Sequence, residues 1–212
     1  VRAVFERDDF VKICGVTSID DALTARSVGA DAVGLIFAES KRKIDLERAS
    51  SIVKNVDGIL RVGVFRGNDD SFVLNALDVS GVDAVQLHDA ISEELLDALR
   101  SRRVLVIKAL STSDSDFVTF DEARVDAVLV DGPMPGSGQA HEWPGLRERA
   151  FKVPVIVAGG LYVDNVGAII VQQHPWGVDV STGVESGPGV KDPERVNDFV
   201  ARARAAFSKG RG

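Results

Sequence analysis

The amino-acid sequence predicts an α/β protein, a single (β/α)8 TIM barrel, and three observations carry that prediction. Short apolar runs rich in Val and Ile recur along the chain, each followed by a polar-apolar stretch at helical spacing. Eight such runs fit into the 212 residues, a period of about 26 residues per βα unit. The runs are almost continuously hydrophobic, as parallel strands covered on both faces must be, and eight alternating units favour closure over an open doubly wound sheet.

The strand candidates are residues 11–14, 32–37, 59–65, 84–88, 104–110, 127–131, 153–158 and 177–180. Helical spacing between and after them marks residues 19–28, 46–56, 72–79, 92–100, 143–150, 163–171 and 193–207, while residues 116–123 carry the weakest helical pattern. The even-numbered runs share an opening: Gly29-Ala-Asp31, Gly81-Val-Asp83, Val125-Asp126 and Gly177-Val-Asp179. A glycine that ends a helix, then an aspartate, then a buried run fits an αβ turn leading into a parallel strand. Asp192-Pro193 reads as the start of the final helix, with Asp as N-cap and Pro in the first turn. One domain is expected over residues 1–212, with the barrel in 8–207 and a frayed tail at 208–212.

Composition narrows the function. An apolar fraction of 45% and a charged fraction of 27% are ordinary globular values. A formal charge of −7 and a pI near 5.0, without a dense Lys/Arg run, argue against nucleic acid as a partner. An anionic substrate would therefore be captured locally, by backbone N–H groups and a few placed cations. The single cysteine, Cys14, excludes an intramolecular disulfide and suggests a reducing compartment, so cytoplasmic localisation is expected. No apolar run approaches membrane-spanning length, and no export signal is recognisable at the N-terminus, so no membrane partner is expected. No long apolar helix face demands a partner chain, which favours a monomer.

In a β/α barrel the chemistry sits at the C-terminal ends of the strands. Those ends read Cys14-Gly15, Gln86-Leu87-His88, Asp131-Gly132, Ala158-Gly159-Gly160 and Ser181-Thr182-Gly183. Gly159 and Gly160 after run seven, with Ser181, Thr182 and Gly183 after run eight, form a candidate phosphate cradle, since glycines let backbone N–H groups approach an anion. Period-two alternation puts Lys12 and Cys14 on the inward face of run one. Lys12 either activates Cys14 by lowering its pKa or pairs with a buried carboxylate. Asp131 precedes a Gly/Pro-rich stretch, 132–139, that looks like a lid. A thiol and a carboxyl across one barrel mouth form an acid–base pair able to move a proton between adjacent sugar carbons. His88 is a third titratable candidate.

These motifs resemble the phosphoribosylanthranilate isomerase family. The likeness runs through Lys12-Ile-Cys-Gly15, Gly34-Leu-Ile-Phe37 with Ser40-Lys-Arg42, Val62-Gly-Val-Phe65, Val85-Gln-Leu-His88 and Lys108-Ala-Leu110. It continues through Asp131 with Gly136-Ser-Gly138, Ala158-Gly-Gly-Leu161, Asp179-Val-Ser-Thr-Gly-Val-Glu185, Pro188-Gly189 and Lys191-Asp192. The resemblance implies an Amadori rearrangement of N-(5-phosphoribosyl)anthranilate in tryptophan biosynthesis, with Asp131 as general acid and Cys14 as general base. It also implies that Arg42 holds the anthranilate carboxylate, that His88 and Asp179 line the pocket, and that no metal or organic cofactor is needed.

Three other readings compete. The sister isomerisation of histidine biosynthesis uses the same ring-opening logic. Lys108 could form a Schiff base in a lyase. The barrel could also be a phosphate-binding regulatory module without catalysis.

Overall fold

The computed structural model describes residues 9–113, 117–132, 143, 146 and 149–210. Eight parallel strands close into a barrel in sequence order, β1 (Phe10–Cys14), β2 (Ala32–Ile36), β3 (Leu60–Phe65), β4 (Ala84–Leu87), β5 (Leu105–Ser111), β6 (Ala127–Asp131), β7 (Val155–Ala158) and β8 (Gly177–Val180). Closure comes from β1 lying against β8, with Phe10 opposite Gly177 and Lys12 opposite Asp179. The expected α/β barrel is the fold observed, and each hydrophobic run supplied its strand to within two residues at either end.

The apolar side chains separate into two cores because residues alternate across each strand. One core fills the space between sheet and helices, and the other fills the barrel with Phe10, Leu60, Val62, Leu105, Ile107, Leu129 and Ile156 among others. Trp176 closes the lower end by stacking on Phe10 at 4.8 Å between ring centroids.

Helices α1 (Ile19–Ser27), α2 (Leu46–Asn55), α3 (Asp70–Ser80), α4 (Glu93–Ser101), α5 (Val166–Gln173) and α6 (Pro193–Lys209) surround the sheet. Ser18, Asp45, Asp69, Ser92 and Asp192 each accept a hydrogen bond from a first-turn backbone N–H, a cap worth about 1 kcal/mol apiece. Helix α6 runs to Lys209, past the point where a frayed tail was expected, because Phe207 is buried against the barrel and Ser208 bonds back to Arg204.

Between β5 and β6 the connection holds only a short 3-10 turn, Glu122–Arg124, in keeping with the weak helical pattern there. The helix expected over 143–150 falls mostly outside the described residues; Trp143, Leu146, Arg149 and Ala150 are described, and none is helical. The stretch 133–139, read as a lid, also lies outside them. A small hairpin, β9 (Glu185–Gly187) with β10 (Val190–Lys191), follows β8 and was not expected.

The repeated aspartates divide into two kinds. Asp31, Asp83 and Asp126 each stand one residue before an even strand and accept the first free N–H of the preceding odd strand, from Val11, Arg61 and Val106. Asp179 does not share that place. It is the third residue of β8 and points into the barrel, because β8 begins two residues before its aspartate, where the other even strands begin one residue after theirs.

Candidate active site

All ten residues singled out from the sequence line one cavity of about 270 Å³ at the C-terminal mouth of the barrel: Cys14, Arg42, His88, Asp131, Gly159, Gly160, Asp179, Ser181, Thr182 and Gly183. Lys108 does not join them. It alternates with the inward Ile107 and Ala109, so its chain runs outward and its Nζ donates to the carbonyls of His88 and Ala109 at 2.7 and 2.8 Å. A Schiff-base role at this mouth is therefore excluded by the strand's register.

Lys12 and Cys14 face inward from β1, and both are buried, Lys12 completely. Lys12 Nζ donates to Asp179 Oδ1 at 2.9 Å. Burial opposes the Lys12 charge, but the Asp179 carboxylate and the Cys14 thiol raise its pKa above the ordinary lysine value. The pairing reading of Lys12 thus holds, and Lys12 also pulls the Cys14 pKa down, though not below its ordinary value. Burial pushes the Cys14 pKa up and Asp179 adds to that, while Lys12 and Lys191 pull it down without prevailing.

Room for the thiol comes from Gly34, the Cys14 neighbour on β2. A Cβ at Gly34 would lie 2.6 Å from Cys14 Sγ and 3.2 Å from Lys12 Nζ. Both atoms therefore crowd the space that the side chain of any other residue would need.

Asp131 ends β6 and is pushed up to a pKa of about 7 by burial, with the nearby Asp179 adding to the effect and the Gly132 amide and Lys12 only partly opposing it. Its Oδ1, Gln86 Oε1 and Ser181 Oγ are buried polar atoms that line this cavity and have no hydrogen-bond partner among the described residues. Such orphans destabilise a fold by about 1–3 kcal/mol each, and three around one cavity mark it as built for a polar ligand. His88 Nε2 sits 3.0 Å from Gln86 Nε2. Burial, assisted by Arg66 and Lys108, lowers the His88 pKa to about 4, so its ring is neutral at pH 7.

The glycine loops after β7 and β8 continue the rim from Asp131, which pairs with Ala158 at the end of β7. Gly159 and Gly160 take φ of 87° and 69°, a conformation that favours glycine. Asn165 holds the loop by accepting from Tyr162 N and donating to Gly160 O. Tyr162 pairs with Gly183 in an isolated bridge that joins this loop to the one after β8. The approach is so close that a Cβ at Gly183 would lie 2.0 Å from Leu161 O. Trp143 Nε1 donates to Ala158 O at 2.9 Å and anchors the end of β7 beneath the loop.

Arg42 reaches the mouth because residues 37–45 fold back, with Ile36 bridging Lys43. Its guanidinium meets both oxygens of Glu185, which is also paired with the buried Lys191. Burial works against the Glu185 charge, but bonds from Arg42 and Lys191 hold its carboxyl below the ordinary glutamate value. Glu185 and Lys191 carry no signal of this role in the sequence, because a hairpin of three and two residues leaves no readable periodicity. Arg66, at the end of β3, is a further rim cation that the sequence did not single out. Among the described residues, no group of three or more His, Cys, Asp and Glu could hold a metal ion, and no helix is long and apolar enough to cross a membrane.

The family model described as N-(5'-phosphoribosyl)anthranilate (PRA) isomerase matches residues 11–202. The N-(5'-phosphoribosyl)anthranilate isomerase of Pelobacter propionicus is 37% identical over 206 residues, covering 94% of this chain and 97% of its own. The crystal structure of phosphoribosyl anthranilate isomerase from Thermus thermophilus is similar with a TM-score of 0.80 at 33% identity, covering 92% of this chain and 98% of that one. Another similar crystal structure is of a phosphoribosyl anthranilate isomerase in complex with reduced 1-(o-carboxyphenylamino)-1-deoxyribulose 5-phosphate; its TM-score is 0.76 at 33% identity, over 92% of this chain and 98% of that one. Matched along nearly all its length in both sequence and backbone, the chain belongs to the N-(5'-phosphoribosyl)anthranilate isomerase family and is an isomerase.

Proposed function

We propose that the chain converts N-(5-phosphoribosyl)anthranilate to 1-(2-carboxyphenylamino)-1-deoxyribulose 5-phosphate, an Amadori rearrangement in tryptophan biosynthesis, with Asp131 as general acid and Cys14 as general base. One observation carries this reading. A carboxyl whose pKa is raised to about 7, so that it keeps its proton up to neutrality, and a thiol line the same cavity, beside glycine loops suited to a phosphate. The relative captured with a reduced carboxyphenylamino-deoxyribulose phosphate supports the substrate class.

In this reading Asp131 protonates the furanose ring oxygen as the C1–O bond breaks, and the amine lone pair moves in to form a Schiff base. Cys14 thiolate removes the proton from C2, and the C2–H electron pair flows toward the imine nitrogen to give an enolamine. Loss of the C2 hydroxyl proton and gain of a proton at C1 then yield the ketone. All electrons stay within the substrate, so the chemistry calls for no metal or organic cofactor. The loops at Gly159, Gly160 and Ser181 to Gly183 hold the phosphate through backbone N–H groups and the Ser181 and Thr182 hydroxyls. Arg42 receives the anthranilate carboxylate on its free Nη1 edge. Asp179 and the neutral His88 face the sugar between those ends.

The test follows loss of N-(5-phosphoribosyl)anthranilate fluorescence with the native chain, Cys14→Ala and Asp131→Asn. Activity is expected only in the native chain, with a loss of about 10²–10⁴-fold or more in each variant. Substantial turnover by either variant removes the role given to that residue.

A further inference from the structure

Arg42 meets Glu185 edge to edge, Nε to Oε1 at 2.6 Å and Nη2 to Oε2 at 2.7 Å, and Nη2 also donates to Thr182 Oγ1 at 3.1 Å. These bonds take up one edge of the guanidinium fork and leave both Nη1 hydrogens without a partner among the described residues. Glu185 is only 7% exposed and is fixed twice more: Lys191 Nζ donates to its Oε1 at 2.9 Å, and Arg195 Nη1 to its backbone carbonyl at 2.6 Å. Lys191, 3% exposed, donates also to Ser181 O at 3.2 Å, within the glycine-lined loop.

A carboxylate beside Arg42 would, by itself, cancel the arginine charge and repel a second carboxylate. Lys191 behind it changes the sign of the site, because two cations and one anion leave a net positive charge at the rim. The arrangement joins the loop at 37–45 and the hairpin through ion pairs, and reaches the phosphate-side loop through hydrogen bonds to Ser181 O and Thr182 Oγ1. A guanidinium held this way has one rotational orientation, and Arg42 itself lines the cavity.

We propose that Glu185 is a positioning residue that sets substrate specificity, fixing the plane of Arg42 so that its Nη1 edge selects an ortho-carboxylated arylamine, while Lys191 preserves the positive charge needed there. The proposal rests on Arg42 being the carboxylate-binding residue, as put forward above. A merely structural tie between hairpin and loop would affect all substrates alike, which separates the two roles.

The experiment compares kcat/KM for two ribose 5-phosphate adducts that differ only by the carboxylate, those of anthranilate and of aniline, in the native chain, Glu185→Gln and Lys191→Met. The native chain is expected to favour the anthranilate adduct. Both variants are expected to narrow that preference by about ten- to hundred-fold, the range for a charge-assisted hydrogen bond, mainly through KM. In Glu185→Gln the aniline adduct is expected to lose far less kcat/KM than the anthranilate adduct; Lys191→Met, whose Nζ also bonds Ser181 O, is expected to slow both adducts, the anthranilate adduct more.

Equal losses on both adducts, or an unchanged preference in a folded variant, overturn the proposal. A native chain that shows no preference instead overturns the Arg42 assignment on which it rests. If Glu185→Gln fails to fold, Glu185→Asp keeps the charge and shortens the reach; a narrowed preference there supports the proposal, and failure of both variants to fold marks Glu185 as structural and overturns it.

Discussion

Lys12 Nζ and Asp179 Oδ1 stand 2.9 Å apart in the interior of the barrel, joining the first and last strands of the sheet. Removing one partner leaves the other as an uncompensated buried charge, which typically destabilises by about 3–5 kcal/mol. Lys12→Met is therefore expected to unfold at lower urea concentration by that amount, and Lys12→Met with Asp179→Leu to recover most of it. The same variant should raise the Cys14 thiol pKa further, since the largest opposing charge is gone. Thiol titration checks this, and an unchanged pKa would show that Lys12 has no hold on Cys14.

Asp131 should make the protein less stable as the pH rises from about 4 to about 7. Its folded pKa, about 7, lies above the ordinary 3.8 of an unfolded chain. Below pH 3.8 both states hold the proton and no difference arises. Between the two values the unfolded chain releases it first, so stability falls until the folded carboxyl also ionises, by about 1.4 kcal/mol per pKa unit. Urea unfolding at pH 5 and pH 8 should show this slope in the native chain and a flatter one in Asp131→Asn. Parallel slopes would contradict the raised pKa.

The proposed acid and base share one proton over a window of pH. Asp131 ionises near 7 while burial keeps the Cys14 thiol above its ordinary value. Below the lower value both groups are protonated and no base exists; above the upper value neither can act as acid. The productive form, protonated Asp131 with thiolate Cys14, is a constant fraction of the singly protonated site between them. kcat/KM is thus expected to rise about tenfold per pH unit up to about pH 7 and then level off. A fall beginning at pH 7 would mean that the thiol ionises no higher than Asp131, against its raised pKa.

Gly34→Ala is expected to abolish most activity while the barrel still folds. The new methyl would lie 2.6 Å from Cys14 Sγ, so the thiol must rotate away or β2 must shift. Overpacking of this kind typically destabilises by about 1–3 kcal/mol. Circular dichroism and the fluorescence assay together read the outcome; native turnover would mean that the position of the thiol is not critical.

Strand positions were legible because burial on both faces leaves each strand as a run of Val, Ile, Leu and Ala. Cys14 and Asp131 could be found because they end such runs, and the mouth of a barrel lies where its strands end. Arg42 could not be found that way. In sequence it stands between Lys41 and Lys43, like any solvated charge, and only the family pattern singled it out. Asp179 was grouped with Asp31, Asp83 and Asp126 by its neighbours in sequence, and a different register placed it inside the barrel instead.

By itself the sequence determined the alternation of strands and helices, their order, and which strand-end residues would reach the rim, because hydrophobic periodicity and strand ends are local properties. Only the tertiary structure decided who partners whom: Lys12 with Asp179, 167 residues away, and Arg42 with Glu185, 143 residues away. It also decided the protonation of Asp131 and Cys14. Charges and burial act through space, and the distances that govern them exist only once the barrel has closed.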